Sequence, residues 1–92
     1  MRATREIIRE EIGVLVHLND AGAAGRELKP LCLQLIDRVA RWAADVHREI
    51  PDNVLVHLTS AMRAAGREDV AGVIVAVETA AAQIGKMRAA TT

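Results

Sequence analysis

The clearest pattern along the chain is a series of apolar residues spaced alternately by four and three positions. Residues at this spacing lie on one face of an α-helix, because the helix turns by about 100° per residue. Charged residues occupy the opposite face, where Asp37 and Arg41 have the spacing of an ion pair. The pattern predicts a long helix that holds Pro30 in its first turn and ends near Glu49, before Pro51. Its apolar face consists of Leu28, Cys32, Leu35, Val39, Trp42 and Val46.

Three further amphipathic segments predict three more helices, at about residues 4–19, 53–65 and 67–87. Thr4 is a candidate N-cap for the first of them, and Asp52 or Asn53 for the second. Glycines follow both of these segments, where glycine favours a loop or a helix C-terminus. The segment at 53–65 has an apolar face of Val54, Leu55, Leu58, Ala61, Met62 and Ala65.

The last segment repeats the spacing of the long helix, and both helices can pack through these faces inside one bundle. Together they give a predicted core seam of Leu28, Cys32, Leu35, Val39, Val46, Val70, Ile74, Val77 and Ile84. The last segment is also apolar outside the seam, where Gly72, Ala76 and Ala80 form a smooth ridge. Such a ridge lets another helix approach closely.

This surplus of apolar surface predicts a partner chain. A lone four-helix bundle leaves one side of each helix in water, and large apolar patches are uncommon on soluble monomers. We therefore expect a homodimer or a tight complex with another protein, with the last helix at the contact. Tryptophan is enriched among the residues that dominate binding energies, which places Trp42 there as well. The predicted interface consists of Trp42, Val73, Val75, Ala76 and Ala80.

The four segments predict one all-α domain over residues 1–92, a four-helix bundle of two αα-hairpins. The hairpins span about residues 4–49 and 52–88, and we expect residues 89–92 to form a mobile tail. Two short sequence segments, which we call the repeated words, occur twice along the chain. Val14–Leu18 recurs as Val54–Leu58, and Ala23–Glu27 recurs as Ala64–Glu68. Their offsets of 40 and 41 residues leave an internal duplication open, and the helical periodicity predicts the bundle with or without it.

Composition narrows the possible functions by exclusion. Twelve basic and twelve acidic residues give a formal net charge of zero, which argues against nucleic acid or an acidic membrane as the partner. Trp42 is the only aromatic residue, which argues against base stacking, aromatic cages and most pockets for drug-like ligands. Cys32 is the only cysteine, which rules out an internal disulfide and a cysteine-based zinc site.

The N-terminal sequence carries no signal-peptide core, because charged residues break its apolar positions. The longest apolar stretch, Val70–Val77, is about half a bilayer span and is followed by Glu78. We therefore expect a cytoplasmic protein that does not cross a membrane. A reduced Cys32 thiol fits that compartment.

The histidines raise two alternative functions. His17 and His57 occupy equivalent positions in the repeated words, which raises the possibility of a metal or haem site. Neither histidine follows a glutamate at the spacing of a di-iron ligand pair, and we predict no metal and no cofactor. A metal- or ligand-binding bundle therefore ranks as the second alternative.

The first alternative is a histidine-phosphotransfer bundle, with His57 or His17 as the phosphoacceptor. Residues 48–59 resemble the dimerisation helix of some sensor histidine kinases, but Pro51 stands where their phosphoacceptor histidine would be. The lysine and glycine expected just after a phosphotransfer histidine are absent after both His17 and His57. The resemblance therefore implies a similar shape and departs at the residue that would carry the phosphoryl group.

Enzymatic motifs are absent from the sequence, which has no phosphate-binding Gly-Lys loop, nucleophile elbow or dinucleotide-binding glycine motif. Cys32 lies on the core seam, where a thiol is usually a small apolar residue without reactivity. Glu11 and Glu78 interrupt apolar faces, and we interpret each as an arginine's partner across an interface rather than as a general acid or base. We predict no catalytic residue.

The sequence as a whole predicts a small non-enzymatic protein-interaction or regulatory protein. Neutral charge, surplus apolar helix surface and the lack of catalytic groups all favour binding to another protein surface, a second copy included. Proteins that sequester a regulator, chaperone-like proteins and small inhibitors all fit this description.

Overall fold

The structure is a computed structural model that describes residues 3–91 and, within them, the side chains of residues 3–87. It consists of four α-helices, and residues 3–91 contain no β-strand. The helices are α1 (Thr4–Asp20), α2 (Gly25–His47), α3 (Asp52–Gly66) and α4 (Val70–Thr91). The prediction of an all-α bundle of two helical hairpins is confirmed.

The helices do not all contact one another. α2 and α4 each pack against the other three helices, whereas α1 and α3 contact α2 and α4 but not each other over the described residues. α2 and α4 therefore form the centre of the bundle, and α1 and α3 lie on opposite sides of it. The Cα positions span 41 × 28 × 16 Å.

The core is apolar throughout, and the side chains described by the structure include no buried polar or charged group. It contains eight of the nine residues of the predicted core seam, and the ninth, Val46, is partly buried against it. Trp42 is buried with them and is 5% exposed. The seam lies inside the bundle because α2, which supplies most of it, has neighbours on both flanks.

The structure corrects the predicted interface, because the chain itself covers most of α4. Val73, Ala76 and Ala80 are buried in the core of the single chain, and Val75 alone among the predicted α4 interface residues is exposed, at 66%. The expected second chain is therefore not needed to cover them, since α4 packs against three other helices.

The smooth ridge of α4 does accommodate a close helix, but that helix is α3 of the same chain. A Cβ placed on Gly72 would come within 3.2 Å of the Ala64 Cβ, tighter than most real contacts. It would also press against the Asp69 carboxylate, which accepts a hydrogen bond from the Gly72 N–H at 3.1 Å. Glycine at this position thus allows both the close approach and the capping of α4.

Several helix ends differ from the predictions. α1 and α3 begin one residue earlier than their expected caps allow, with Ala3 and Pro51 in the N-cap positions and no side-chain capping bond. α2 begins at Gly25, which places Pro30 in its second turn rather than its first. It ends at His47 because Arg48 has a φ of 63°.

The last helix is displaced toward the C-terminus relative to its prediction. It begins at Val70, after the capping residue Asp69, and its backbone continues through Thr91 instead of ending at Met87. Residues 89–92 are predicted to be mobile. Their side chains, and the whole of Thr92, lie outside the described part of the structure. That mobility stays a prediction.

The repeated words do not occupy equivalent environments. Val14 is exposed and Leu15 buried in the first copy, whereas Val54 is buried and Leu55 exposed in the second. The glycine of the second word begins a helix at Gly25 and ends one at Gly66. The bundle therefore consists of two hairpins whose matching words have different structural roles.

The loops after α1 and α3 have the same backbone geometry but different residues at the left-handed position. In both loops three N–H groups donate back to carbonyl oxygens at the end of the preceding helix. The bond that spans the most residues runs from the Ala23 N–H to the Leu18 oxygen in the first loop and from the Asp69 N–H to the Ala64 oxygen in the second. The residue with positive φ is Gly22 in the first loop and Glu68, at φ 59°, in the second. The Cβ of a glutamate is sterically strained at this angle, whereas glycine has no Cβ and adopts the angle freely.

We therefore expect Glu68→Gly to raise the free energy of unfolding by about 0.5–1 kcal/mol, the steric relief less the chain entropy that glycine loses. Gly22→Ala is the matched control. It should lower the free energy of unfolding by about 1–2 kcal/mol, because φ at this position is 91° and a residue with a Cβ is strained there. Urea unfolding of the three proteins measures both. A Glu68→Gly variant less stable than the wild type would show that the left-handed angle carries no strain.

Candidate functional site

Of the seven large apolar side chains that are exposed in the described part of the chain, three lie on α3. Leu55, Val56 and Met62 point away from the core, and each is about half exposed. We call these three residues the α3 face. Leu55 and Met62 belong to the apolar face predicted for this helix, but they lie at its exposed edge and not in the core.

The reason is the close packing of α3 on α4. The buried residues of α3 include Ala61, Ala64 and Ala65, so its core side is rotated toward its small residues. The apolar arc of α3 is wider than the surface that its neighbours cover, and the larger side chains at the edge of the arc remain outside. The sequence did contain an indication of this exposure, because the apolar residues of α3 span more of the helix circumference than one packed face covers.

Further exposed apolar side chains lie on the helices beside α3. Val75 is on the outer side of α4, and Leu33 is on α2. Arg38 reaches Glu11 of α1, which identifies the flank of α2 that faces α1. Leu33 lies on the opposite flank, toward α3, because it precedes Arg38 by five residues and the two side chains are therefore about 140° apart around the helix.

A second surface feature is a groove between α1 and α4 with a volume of about 410 Å³. We call it the α1–α4 groove. Ile8, Ile12, Trp42 and Ala81 give it apolar walls, and Arg5, Arg9 and Glu78 lie among its lining residues. No site predicted from the sequence included the two arginines, although their spacing of four residues places them on one side of α1.

The two glutamates that interrupt apolar faces have different surroundings. Glu11 forms an ion pair with Arg38, with 2.6 Å between Oε1 and Nε. It is an arginine's partner as predicted, but the pair joins α1 to α2 within one chain. Glu78 is exposed on α4 beside the α1–α4 groove, with no ion pair to any described residue. The predicted surface pair of Asp37 and Arg41 is confirmed, at 2.9 Å.

The histidines do not come together. His17 is exposed on α1, and His57 is half-buried on α3, which does not contact α1. Their separation rules out a shared site in the single chain. His47 is half-buried at the end of α2, and its Nε2 is enclosed without a hydrogen-bond partner. Among the described residues no cluster of three or more His, Cys, Asp or Glu could hold a metal ion.

Cys32 has the environment of a core residue. Its side chain is buried between the helices, and this burial raises the pKa of the thiol, an effect that a backbone hydrogen bond partly offsets. A raised pKa lowers the thiolate fraction at neutral pH, which is the nucleophilic form. The buried position and the low thiolate fraction both fit the predicted packing role.

One helix in the described part, over Val70–Met87, is long and apolar enough to cross a membrane, with a mean hydropathy of 1.4. The core helix of a soluble protein meets the same criterion, and α4 packs against three other helices. The finding is consistent with a soluble protein.

Fold and surface thus define a small helical bundle with an apolar outer face and an apolar groove. Comparison of the chain with protein-family models, curated proteins and solved structures gives no match.

Proposed function

We propose that this chain is a small, non-enzymatic, cytoplasmic protein that binds other protein surfaces and forms a homodimer through the α3 face. The observation that carries the proposal is the exposure of Leu55, Val56 and Met62 on one helix. Clustered apolar side chains on a soluble protein typically mark a surface that another protein covers. Sequestering, chaperone-like and inhibitory roles all use such a surface.

The pattern of the α3 face supports a second copy as one partner. In a twofold arrangement every contact occurs twice, so the surface must match itself. Two antiparallel α3 helices would place Leu55 of each chain opposite Met62 of the other. The exposed charges Asp52 and Arg63, near opposite ends of α3, then come within about one turn of each other across the contact.

This contact replaces the interface predicted from the sequence. Val75 lies on the adjacent helix beside His57 and Ser60 of α3, whereas Val73, Ala76 and Ala80 are buried inside the chain. Trp42 is also a core residue and lies away from α3, on the side of the α1–α4 groove.

The test is the mass in solution of the wild type and of Leu55→Glu, by light scattering over a range of concentrations. Leu55→Glu places a charge at the contact twice per dimer, and we expect the dissociation constant to rise about a hundredfold or more. Circular dichroism should show unchanged helicity, because the site is exposed and glutamate favours helices.

Val14→Glu is the matched control. Val14 is 55% exposed and Leu55 is 45% exposed, but Val14 lies on α1, which does not contact α3. We expect this variant to remain dimeric. A wild type that stays monomeric at high micromolar concentration and binds no apolar dye would contradict the proposal. Equal dissociation by both variants would contradict the assignment to α3.

A further inference from the structure

The α1–α4 groove has the dimensions and walls of a small-molecule site. Its volume of about 410 Å³ falls in the range of ligand pockets, about 300–1,000 Å³. Ile8 and Trp42 are buried residues of the core that also line the groove, so its inner wall is continuous with the core. A ligand with an apolar body would bury against this wall.

Trp42 adds a hydrogen-bond donor that the chain does not use. Its side chain is more than nine-tenths buried, yet the indole N–H donates to no described residue. The nitrogen is not among the fully enclosed atoms, so a bound molecule can reach it. Because the nitrogen stays accessible, solvent can hydrogen-bond to it, and a ligand acceptor would replace that solvent contact.

Arg5 and Arg9 supply further donors on the α1 side of the groove. Both are exposed and lie four residues apart, so they share one side of the helix, and neither pairs with a described residue. Glu78 is the one acidic residue that lines the groove, on the α4 side. The lining therefore has an excess of one positive charge, and its donors outnumber its acceptors.

We propose that the α1–α4 groove binds a small carboxylate with an apolar body, of the size of a medium-chain fatty acid. The apolar part lies against Ile8, Ile12 and Trp42, and the carboxylate accepts hydrogen bonds from Arg5 and Arg9. Guanidinium groups bind carboxylates through paired, charge-assisted hydrogen bonds. The groove lies beside α1, away from the α3 face, so this proposal does not depend on the proposed dimer.

Trp42 also makes the proposal directly testable, because it is the only aromatic residue in the chain. Tryptophan emission of the full chain therefore comes from a single residue, and that residue lines the groove. We would titrate the protein with octanoate and, separately, with octanol, which has the same chain without the carboxylate. The expected result is a saturable change in emission, with octanoate bound about tenfold more tightly than octanol.

The double variant Arg5→Gln/Arg9→Gln should lose this preference and bind octanoate no more tightly than octanol. Arg26→Gln is the matched control, since it removes an exposed arginine of α2 that lies outside the groove, and its affinities should equal those of the wild type. Circular dichroism confirms that the variants remain folded, and exposed substitutions of this kind have small effects on stability.

Three results would overturn the proposal. The first is equal affinity for octanoate and octanol, or no saturable change with either. The second is a double variant that retains the preference for octanoate. The third is emission that changes with protein concentration alone, together with dimer formation abolished by the double variant, which would identify a second copy as the occupant.

Discussion

Leu35→Ala lowers the free energy of unfolding by about 2–5 kcal/mol, the largest effect that we expect from a single substitution in this chain. Leu35 is fully enclosed on α2, the helix that contacts all three others. Removing its isobutyl group therefore takes away apolar contacts and leaves a cavity that helices held on several sides cannot collapse to fill.

Arg41→Ala is the control on the same helix, and it should cost less than about 0.5 kcal/mol. The Arg41 side chain is 79% exposed, and its ion pair with Asp37 is a surface pair within one helix. Urea unfolding followed by circular dichroism measures both variants. Equal midpoints for the two would show that the α2 seam does not carry the core.

Gly25→Ala should lower the free energy of unfolding by about 1–3 kcal/mol, although alanine is the better helix former. Gly25 begins α2 against the turn between α3 and α4, and a Cβ there would overlap the backbone carbonyl oxygen of Glu68. A backbone atom cannot rotate aside as the end of a side chain can. The turn or the start of α2 must move.

Gly13→Ala should have the opposite sign, with a gain of about 0.5–1 kcal/mol. Gly13 lies inside α1, and a Cβ added there would meet no atom within 4 Å. Thermal or urea unfolding of the two alanine variants compares them directly. A Gly25→Ala protein as stable as Gly13→Ala would exclude the close contact between α2 and the α3–α4 turn.

The candidate surfaces were only partly predictable. The apolar arc of α3 is visible in the sequence, but the sequence alone does not show which part of that arc the neighbouring helices leave uncovered. Leu55 and Met62 belong to the predicted apolar face and are exposed in the structure. The α1–α4 groove joins Arg5 and Arg9 to Trp42 and Glu78, residues far apart along the chain. No local pattern reports that association, because it depends on how the two hairpins pack.

Local patterns by themselves determined the four helices and the seam that forms the core. A local pattern consists of the spacing between apolar residues, and this spacing shows which face of a helix is apolar. Burying that face is favourable whichever surface covers it. Only the tertiary structure decided what covers the rest of α4. Gly72 allows α3 to approach closely, so this chain buries Val73, Ala76 and Ala80 itself, and the exposed apolar surface shifts to α3. Periodicity records that a face is apolar, whereas the identity of its partner is set by the fit of distant surfaces.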